Sequence, residues 1–219
     1  MAKEPIRFKR GCLADLVERL RRLSILGDAQ IRPYADASIS LERLRIDELV
    51  PLSKYVLEDQ LRFVDRTRQS LLADSVDILD LDCGFVWPAG DSNRPLAAPI
   101  VEEWDGALLL VDGLHRIWTA RSLGLAAVTC AVVRCLEVPL MTLPASWNDI
   151  RVFPQGQVPS PNEKRNYRFT DMDSLKEAAP KHANRVTAEN YRYFFYRNLE
   201  ELGSGGVRTD ASSETRGDD

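Results

Sequence analysis

Residues 99–133 read PIVEEWDGALLLVDGLHRIWTARSLGLAAVTCAVV, and this stretch decides the fold. Ile100 to Glu103 and Ala107 to Val111 are apolar strand candidates parted by Trp104, Asp105 and Gly106, and Asp-Gly is a strong hairpin-turn signal. The second run, ALLLV, is unbroken apolar, the pattern of a strand buried on both faces. It leads directly into Asp112-Gly113-Leu114-His115-Arg116. The spacing of Ile117, Ala120 and Leu123 predicts a helix with those residues inward and Gly124 as its stop. Ala127 to Val133 predicts a further apolar strand. Strand, tight glycine turn, helix and strand together predict a βαβ-type unit with the short motif at its turn.

That turn is where chemistry is expected. A strand ending in a glycine turn at a helix start collects free backbone N–H groups and the positive end of the helix dipole, a place that binds phosphate. His115 and Arg116 add one switchable and one permanent donor, and an arginine grips two phosphate oxygens at once. Cations in a first helical turn are unfavourable by roughly 0.3–1 kcal/mol each unless an anion is bound there. Their presence is therefore an argument for a ligand, with a salt bridge to a nearby acid as the plain alternative. Asp112 is a good N-cap residue, and equally a candidate for binding metal or orienting a hydroxyl.

Working outward, Leu13, Leu16, Val17, Leu20 and Leu23 form one face of an amphipathic helix, with Gly27 as its stop. This helix would dock on the main domain or on a second copy. The run LERLRIDELVPL, residues 41–52, predicts a short strand and a loop at Pro51. Leu57, Leu61, Val64, Leu71 and Leu72 predict a helix over 58–73, whose first-turn acids Glu58 and Asp59 suit the dipole. Residues 76–86 read as a strand interrupted by Asp77, Asp80 and Asp82, and 88–99 as a loop. After Cys135, five prolines surround Trp147 and the basic-aromatic run EKRNYRF, and helices are expected over 173–179 and 188–202. The expected organisation is a helical arm over 1–40, an α/β core over 41–138, a C-terminal helical extension over 139–202 and a disordered tail over 203–219.

Among the 219 residues, 29 Lys and Arg against 33 Asp and Glu give a net charge of -4, which removes a whole-chain basic footprint for nucleic acid. No apolar run approaches the roughly 18 residues of a membrane helix, so a cytoplasmic protein is expected. The cysteines at 12, 83, 130 and 135 form no CxxC pair, and only two histidines accompany them. They are expected to be small buried hydrophobes rather than zinc ligands.

Residues 41–134 resemble the nucleotide-binding core of the ParB/sulfiredoxin-like superfamily: RLRIDELVP, a helix over 58–73, a hairpin, a strand ending Val111-Asp112-Gly113, and His115-Arg116 opening a helix that closes at Leu123-Gly124. In motif the chain is most similar to the free-serine-kinase-like branch, whose DG-H-H-R motif cradles nucleotide phosphates. Asp112, Gly113, His115 and Arg116 match, while Leu114 replaces the first histidine. That branch also uses a glutamate just after the LxP turn as general base. Here Ser53 and Lys54 occupy the place, and the nearest acids are Glu58 and Asp59. Leu114 stands where sulfiredoxins carry their catalytic cysteine, which excludes the reductase reading. The partition proteins carry G-E-R-R at this turn and a helix-turn-helix domain after the core; here the turn is different, and only about 60 residues expected to be ordered follow the core, which together with the acidic net charge counts against a DNA clamp.

The resemblance implies a mixed-sheet α/β core and a nucleotide-dependent kinase acting on a small hydroxyl-bearing, amino-acid-like metabolite, with ATP or ADP and Mg²⁺ as cofactors. Gly113, His115 and Arg116 would hold phosphate, and Asp112 or Glu58 would orient or deprotonate the acceptor hydroxyl. Trp147, Arg165 and Arg168 would line the substrate side, the Lys164–Arg168 run acting as a lid, contacting nucleic acid, or remaining a solvated loop. The alternative is a non-catalytic ParB-like nucleotide-binding or DNA-associated regulator. A nuclease would need clustered acids, for which Asp77, Asp80 and Asp82 are the candidates. A nucleotide and a small-molecule substrate are the expected partners, with nucleic acid disfavoured, no membrane, and a homodimer conceivable through the first helix.

Overall fold

The computed structural model describes residues 8–88 and 95–202. β1 (Phe8–Gly11) leads to α1 (Leu13–Arg22), followed by β2 (Ser38–Arg45), β3 (Leu49–Pro51) and β4 (Tyr55–Leu57), which runs into α2 (Glu58–Leu72). Next come β5 (Phe85–Pro88), β6 (Leu96–Ala97), the hairpin of β7 (Ile100–Trp104) and β8 (Ala107–Asp112), α3 (Leu114–Ser122) and β9 (Ala127–Arg134). The remaining elements are β10 (Thr142–Leu143), β11 (Arg151–Phe153), the single turn α4 (Pro161–Lys164), β12 (Asn166–Tyr167) and α5 (Met172–Ala178).

Asp105 and Gly106 turn the hairpin with φ of 47° and 78°, the two positive values of a type I′ turn, so the strands keep their twist. The main sheet has the order β2-β9-β7-β8-β3 and is mixed: β2 is antiparallel to β9, β9 parallel to β7, β7 antiparallel to β8 and β8 parallel to β3. The expected βαβ-type unit is corrected here. β7 lies between β8 and β9, which run in opposite senses, and the parallel pair is β7 with β9, joined through β8 and α3.

Pleat alternation sends successive side chains of this sheet into different apolar layers. Val128, Cys130 and Val132 of β9, with Leu110 of β8, pack against Val64 and Leu71 of α2 and Ile117 and Ala120 of α3. Ala131 and Val133 join Leu16, Leu20 and Leu23 from the first helix and its end. The stripe of α1 therefore serves the chain's own core. That helix ends at its cap Leu23, not at Gly27. A side chain at Gly27 would come within 2.6 Å of the Phe194 backbone, so glycine there permits close approach rather than capping. Leu123, expected inward, is 54% exposed as the C-cap of α3.

Three further expectations fail for identifiable reasons. Residues 76–84 form turns instead of a strand, because their acids are claimed by groups elsewhere in the fold: Asp77 accepts from the Leu79 amide and pairs with Arg68, while Asp80 accepts from the Thr129 amide and pairs with Arg43. The three acids are thus not a metal cluster, and no group of His, Cys, Asp and Glu suited to a metal occurs among the described residues. Residues 188–202 are two 3-10 turns around an extended piece rather than a helix, since residues 24–27 take its backbone groups: Leu26 and Gly27 donate to the carbonyls of Tyr196 and Phe194, and the Asn198 amide donates to Ser24. Of the cysteines, Cys130 is buried and Cys83 partly so, but Cys12 and Cys135 are exposed at element ends. The expected tail over 203–219 lies outside the described residues. No helix among them is long and apolar enough to cross a membrane.

The C-terminal segment is fastened to the sheet by a buried ion pair. The Glu102 carboxylate in β7 accepts from Arg197 Nε at 2.7 Å and Nη2 at 2.9 Å, from the Tyr34 hydroxyl at 2.5 Å and from Trp104 Nε1 at 2.9 Å. The Arg197 guanidinium also donates to the carbonyls of Val138 and Phe195, both at 2.9 Å.

Candidate phosphate-binding cleft

The strand–turn–helix motif opens onto a cleft of about 1150 Å³ walled by α2, the β8–α3 turn, β6 and the segment 164–167. Gly113 makes the turn with φ of 92°, a left-handed value. A Cβ there would sit 2.8 Å from Pro99 Cβ and 3.2 Å from the Arg116 guanidinium, so the position is reserved for glycine on two counts. The start of α3 carries no side-chain cap and no acid in its first turn, which leaves its leading amides for an external acceptor.

Arg116 lies beneath this turn with its side chain 9% exposed. Its Nη1 donates to the Ala97 carbonyl, and its Nη2 is 3.8 Å from the Asp112 carboxylate, which is itself 40% exposed. Burial pushes the guanidinium down from its ordinary value, although Asp112 opposes the shift. A desolvated cation with one carbonyl and one distant carboxylate is under-compensated. An anion entering the cleft would complete it.

His115 does a different job from the one expected. Its Nε2 accepts the Leu57 amide proton at 3.0 Å, which fixes the neutral tautomer with the proton on Nδ1 and ties the start of α2 to α3. Burial, the largest influence, lowers its pKa, while Asp112 and Asp59 oppose the change. The lowered folded value means that this group's stabilisation is complete above the unfolded value of about 6.5 and is lost as pH falls toward the folded value. Between pH 7.5 and 5.5 the urea midpoint should therefore drop further in the wild type than in His115→Asn, and the protection of the Leu57 amide relative to its intrinsic exchange rate should fall. Parallel loss in both proteins would refute this role.

Of the sequence candidates, the cleft gathers Asp112, Gly113, His115, Arg116 and Arg165. Arg165 lies with its guanidinium 4.6 Å from the Tyr196 ring centroid. Its segment is anchored to the β3–β4 connection, because the Lys164 carbonyl accepts the Lys54 amide at 2.8 Å and the Ser53 hydroxyl at 3.2 Å. Three candidates fall outside. Glu58 is held by Arg62 at 2.7 Å and by the Gln155 amide, with its pKa lowered chiefly by Arg62, and it does not line the cleft. The acid that does is its neighbour Asp59, one step of about 100° around the helix. Trp147 donates from Nε1 to the Leu49 carbonyl at 2.7 Å and packs under Arg121, a structural role. Arg168 is exposed and absent from the lining.

Besides Asp59, sequence reasoning missed Phe63 and Tyr196. Phe63 had a signal: it falls off the apolar stripe of its helix, where an aromatic has no core to join. The Tyr196 hydroxyl is the sole buried side-chain polar atom without a hydrogen-bond partner among the described residues. Nothing in its local sequence announces that.

A family model described as the ParB CE domain matches residues 15–151, a span that includes the sheet, both packing helices and the β8–α3 turn. No curated protein and no solved structure gives a significant match.

Proposed function

The chain belongs to the ParB CE domain family, and from that premise we propose that its cleft binds a nucleotide by the phosphates and transfers a phosphoryl group to a small hydroxyl-bearing, amino-acid-like metabolite. The observation that carries this reading is the buried, under-compensated Arg116 beside the uncapped start of α3. The Leu114 to Arg116 amides and the guanidinium would hold phosphate oxygens, and Lys164 and Arg165 would add charge from the facing segment. A Mg²⁺ ion accompanying the phosphates needs only one or two carboxylates, and the half-open Asp112 fits that requirement; such an ion would neutralise developing phosphate charge. Asp59, in place of the expected Glu58, is positioned to orient or deprotonate the acceptor. The buried Tyr196 hydroxyl, close to Arg165 and Tyr167, would be a donor to the acceptor's polar end.

Calorimetric titration with ATP, ADP and CTP in the presence of Mg²⁺, followed by a phosphotransfer screen against hydroxyl amino acids, tests the proposal. Asp59→Asn should cut turnover about a hundredfold or more while changing nucleotide affinity little, since a positioned base contributes that much. Glu58→Gln should leave turnover near wild type. The reverse pattern would overturn the assignment of the acid.

A second reading is supported by Ser53 and Lys54, which stand after the β3 turn where a catalytic glutamate would be and are engaged with the Lys164 carbonyl. It is a nucleotide-binding regulator without catalysis. Tight nucleotide binding with no transfer to any hydroxyl acceptor would favour it.

A further inference from the structure

The cleft-facing side of α2 carries Asp59, Gln60, Phe63 and Arg66, spaced so that they share one helical stripe. Phe63 is 47% exposed on this wall and stacks on no ring among the described residues. Among the described residues the Gln60 side-chain amide, one turn earlier, makes no hydrogen bond, and Arg66 donates only to the Arg62 carbonyl. An exposed aromatic next to an uncommitted amide, inside a cleft, has no explanation in packing.

Both neighbours of the phosphate turn are pinned to it. α2 is fixed by the Leu57 amide on His115, and β6 by the Ala97 carbonyl on Arg116. From Leu57, Phe63 lies about 9 Å along the helix axis. The apolar Leu96 and Pro95 line the same cleft beside Ala97. The cleft thus offers the Arg116 guanidinium and the α3 amides at the turn and, about two helical turns along α2, an exposed aromatic face, the two features that a nucleotide's phosphates and base require.

We propose that Phe63 is the stacking platform for the nucleotide's base and that Gln60 reads the base edge, an inference that rests on the phosphate-binding reading of the same cleft. An aromatic face accepts any base, whereas a glutamine amide, with a donor beside an acceptor, complements adenine. The site is therefore assigned to an adenine nucleotide.

The test compares ATP, GTP and inorganic tripolyphosphate, each with Mg²⁺, on the full chain. Wild type should bind ATP tighter than GTP, and both tighter than tripolyphosphate. Phe63→Ala should weaken ATP binding about tenfold or more with tripolyphosphate unchanged, and Phe63→Trp should restore it. Gln60→Ala should narrow the gap between ATP and GTP. Because Phe63 is half exposed, its removal opens no core, and equal melting temperatures would verify folding. If tripolyphosphate binds and ATP binds no tighter, or if Phe63→Ala leaves ATP affinity intact, the platform is overturned while the phosphate site stands. If neither ligand binds, the phosphate reading itself fails, and the platform with it.

Discussion

Arg116→Met is expected to weaken ATP binding about a hundredfold or more while leaving the ligand-free protein about as stable as the wild type. Truncating one partner of a buried charge pair costs about 2–5 kcal/mol of binding, and tenfold in affinity corresponds to about 1.4 kcal/mol. Stability responds differently because the ligand-free protein already bears the cost of desolvating this cation, with only the Ala97 carbonyl and Asp112 at 3.8 Å to offset it. Removing the guanidinium takes one donor from the Ala97 carbonyl, a cost of about 1–3 kcal/mol, but relieves the desolvation of the cation and leaves the partly exposed Asp112 hydrated, so the two effects offset. Thermal shift reads both quantities. At a ligand concentration near one hundred times the wild-type Kd, ATP should stabilise the wild type by about 2.7 kcal/mol, or roughly 5–10 °C for a domain of this size, and the variant by no more than about 0.4 kcal/mol, or roughly 1–2 °C. A variant with wild-type affinity would remove Arg116 from the phosphate site.

The second large effect concerns the fastening of the C-terminal segment. Arg197→Met should lower the unfolding free energy by about 3–5 kcal/mol, because it strands the Glu102 carboxylate in the middle of the sheet. Against a total stability of about 5–15 kcal/mol this is a severe loss. Tyr34 and Trp104 would still donate to the carboxylate, but neither brings positive charge. The double variant Glu102→Leu with Arg197→Met should recover a substantial part of the loss, since both charges leave together. Urea unfolding of the four species closes the cycle. An Arg197→Met effect below about 1 kcal/mol would show that the pair holds nothing.

The parts of the structure that were legible in the sequence are those set by local chemistry. Asp105-Gly106 dictates a primed turn, the ALLLV run marks a central strand, and Gly113 with His115 and Arg116 marks the cleft. The parts that were not legible depend on partners distant in sequence. Residues 76–84 read as strand because nothing nearby shows that Arg68, Arg43 and the Thr129 amide will claim their acids. Residues 194–198 carry helical spacing, but the chain at 24–27 needs their carbonyls. The choice between Glu58 and Asp59 turned on the rotation of α2, which is set by the Leu57–His115 bond across 58 residues. Trp147 sat at a plausible sequence distance from the motif, yet its indole was already committed to Leu49.

The Glu102–Arg197 pair also carries a consequence for biosynthesis. The two residues are 95 positions apart, so a ribosome working at about 5–20 residues per second makes β7 roughly 5–19 s before the arginine that neutralises its glutamate. During that interval the carboxylate at the centre of the nascent sheet has Tyr34 and Trp104 as donors but no cation, so the sheet around it is less stable than in the finished protein. The turn at Asp112 and Gly113 is built on the neighbouring strand of the same hairpin, and so it too is completed only after a residue translated much later. Polypeptides released before Arg197 is added would keep the Asp112–Arg116 motif but lack the charge that lets its scaffold consolidate, which makes them natural substrates for chaperones and proteases.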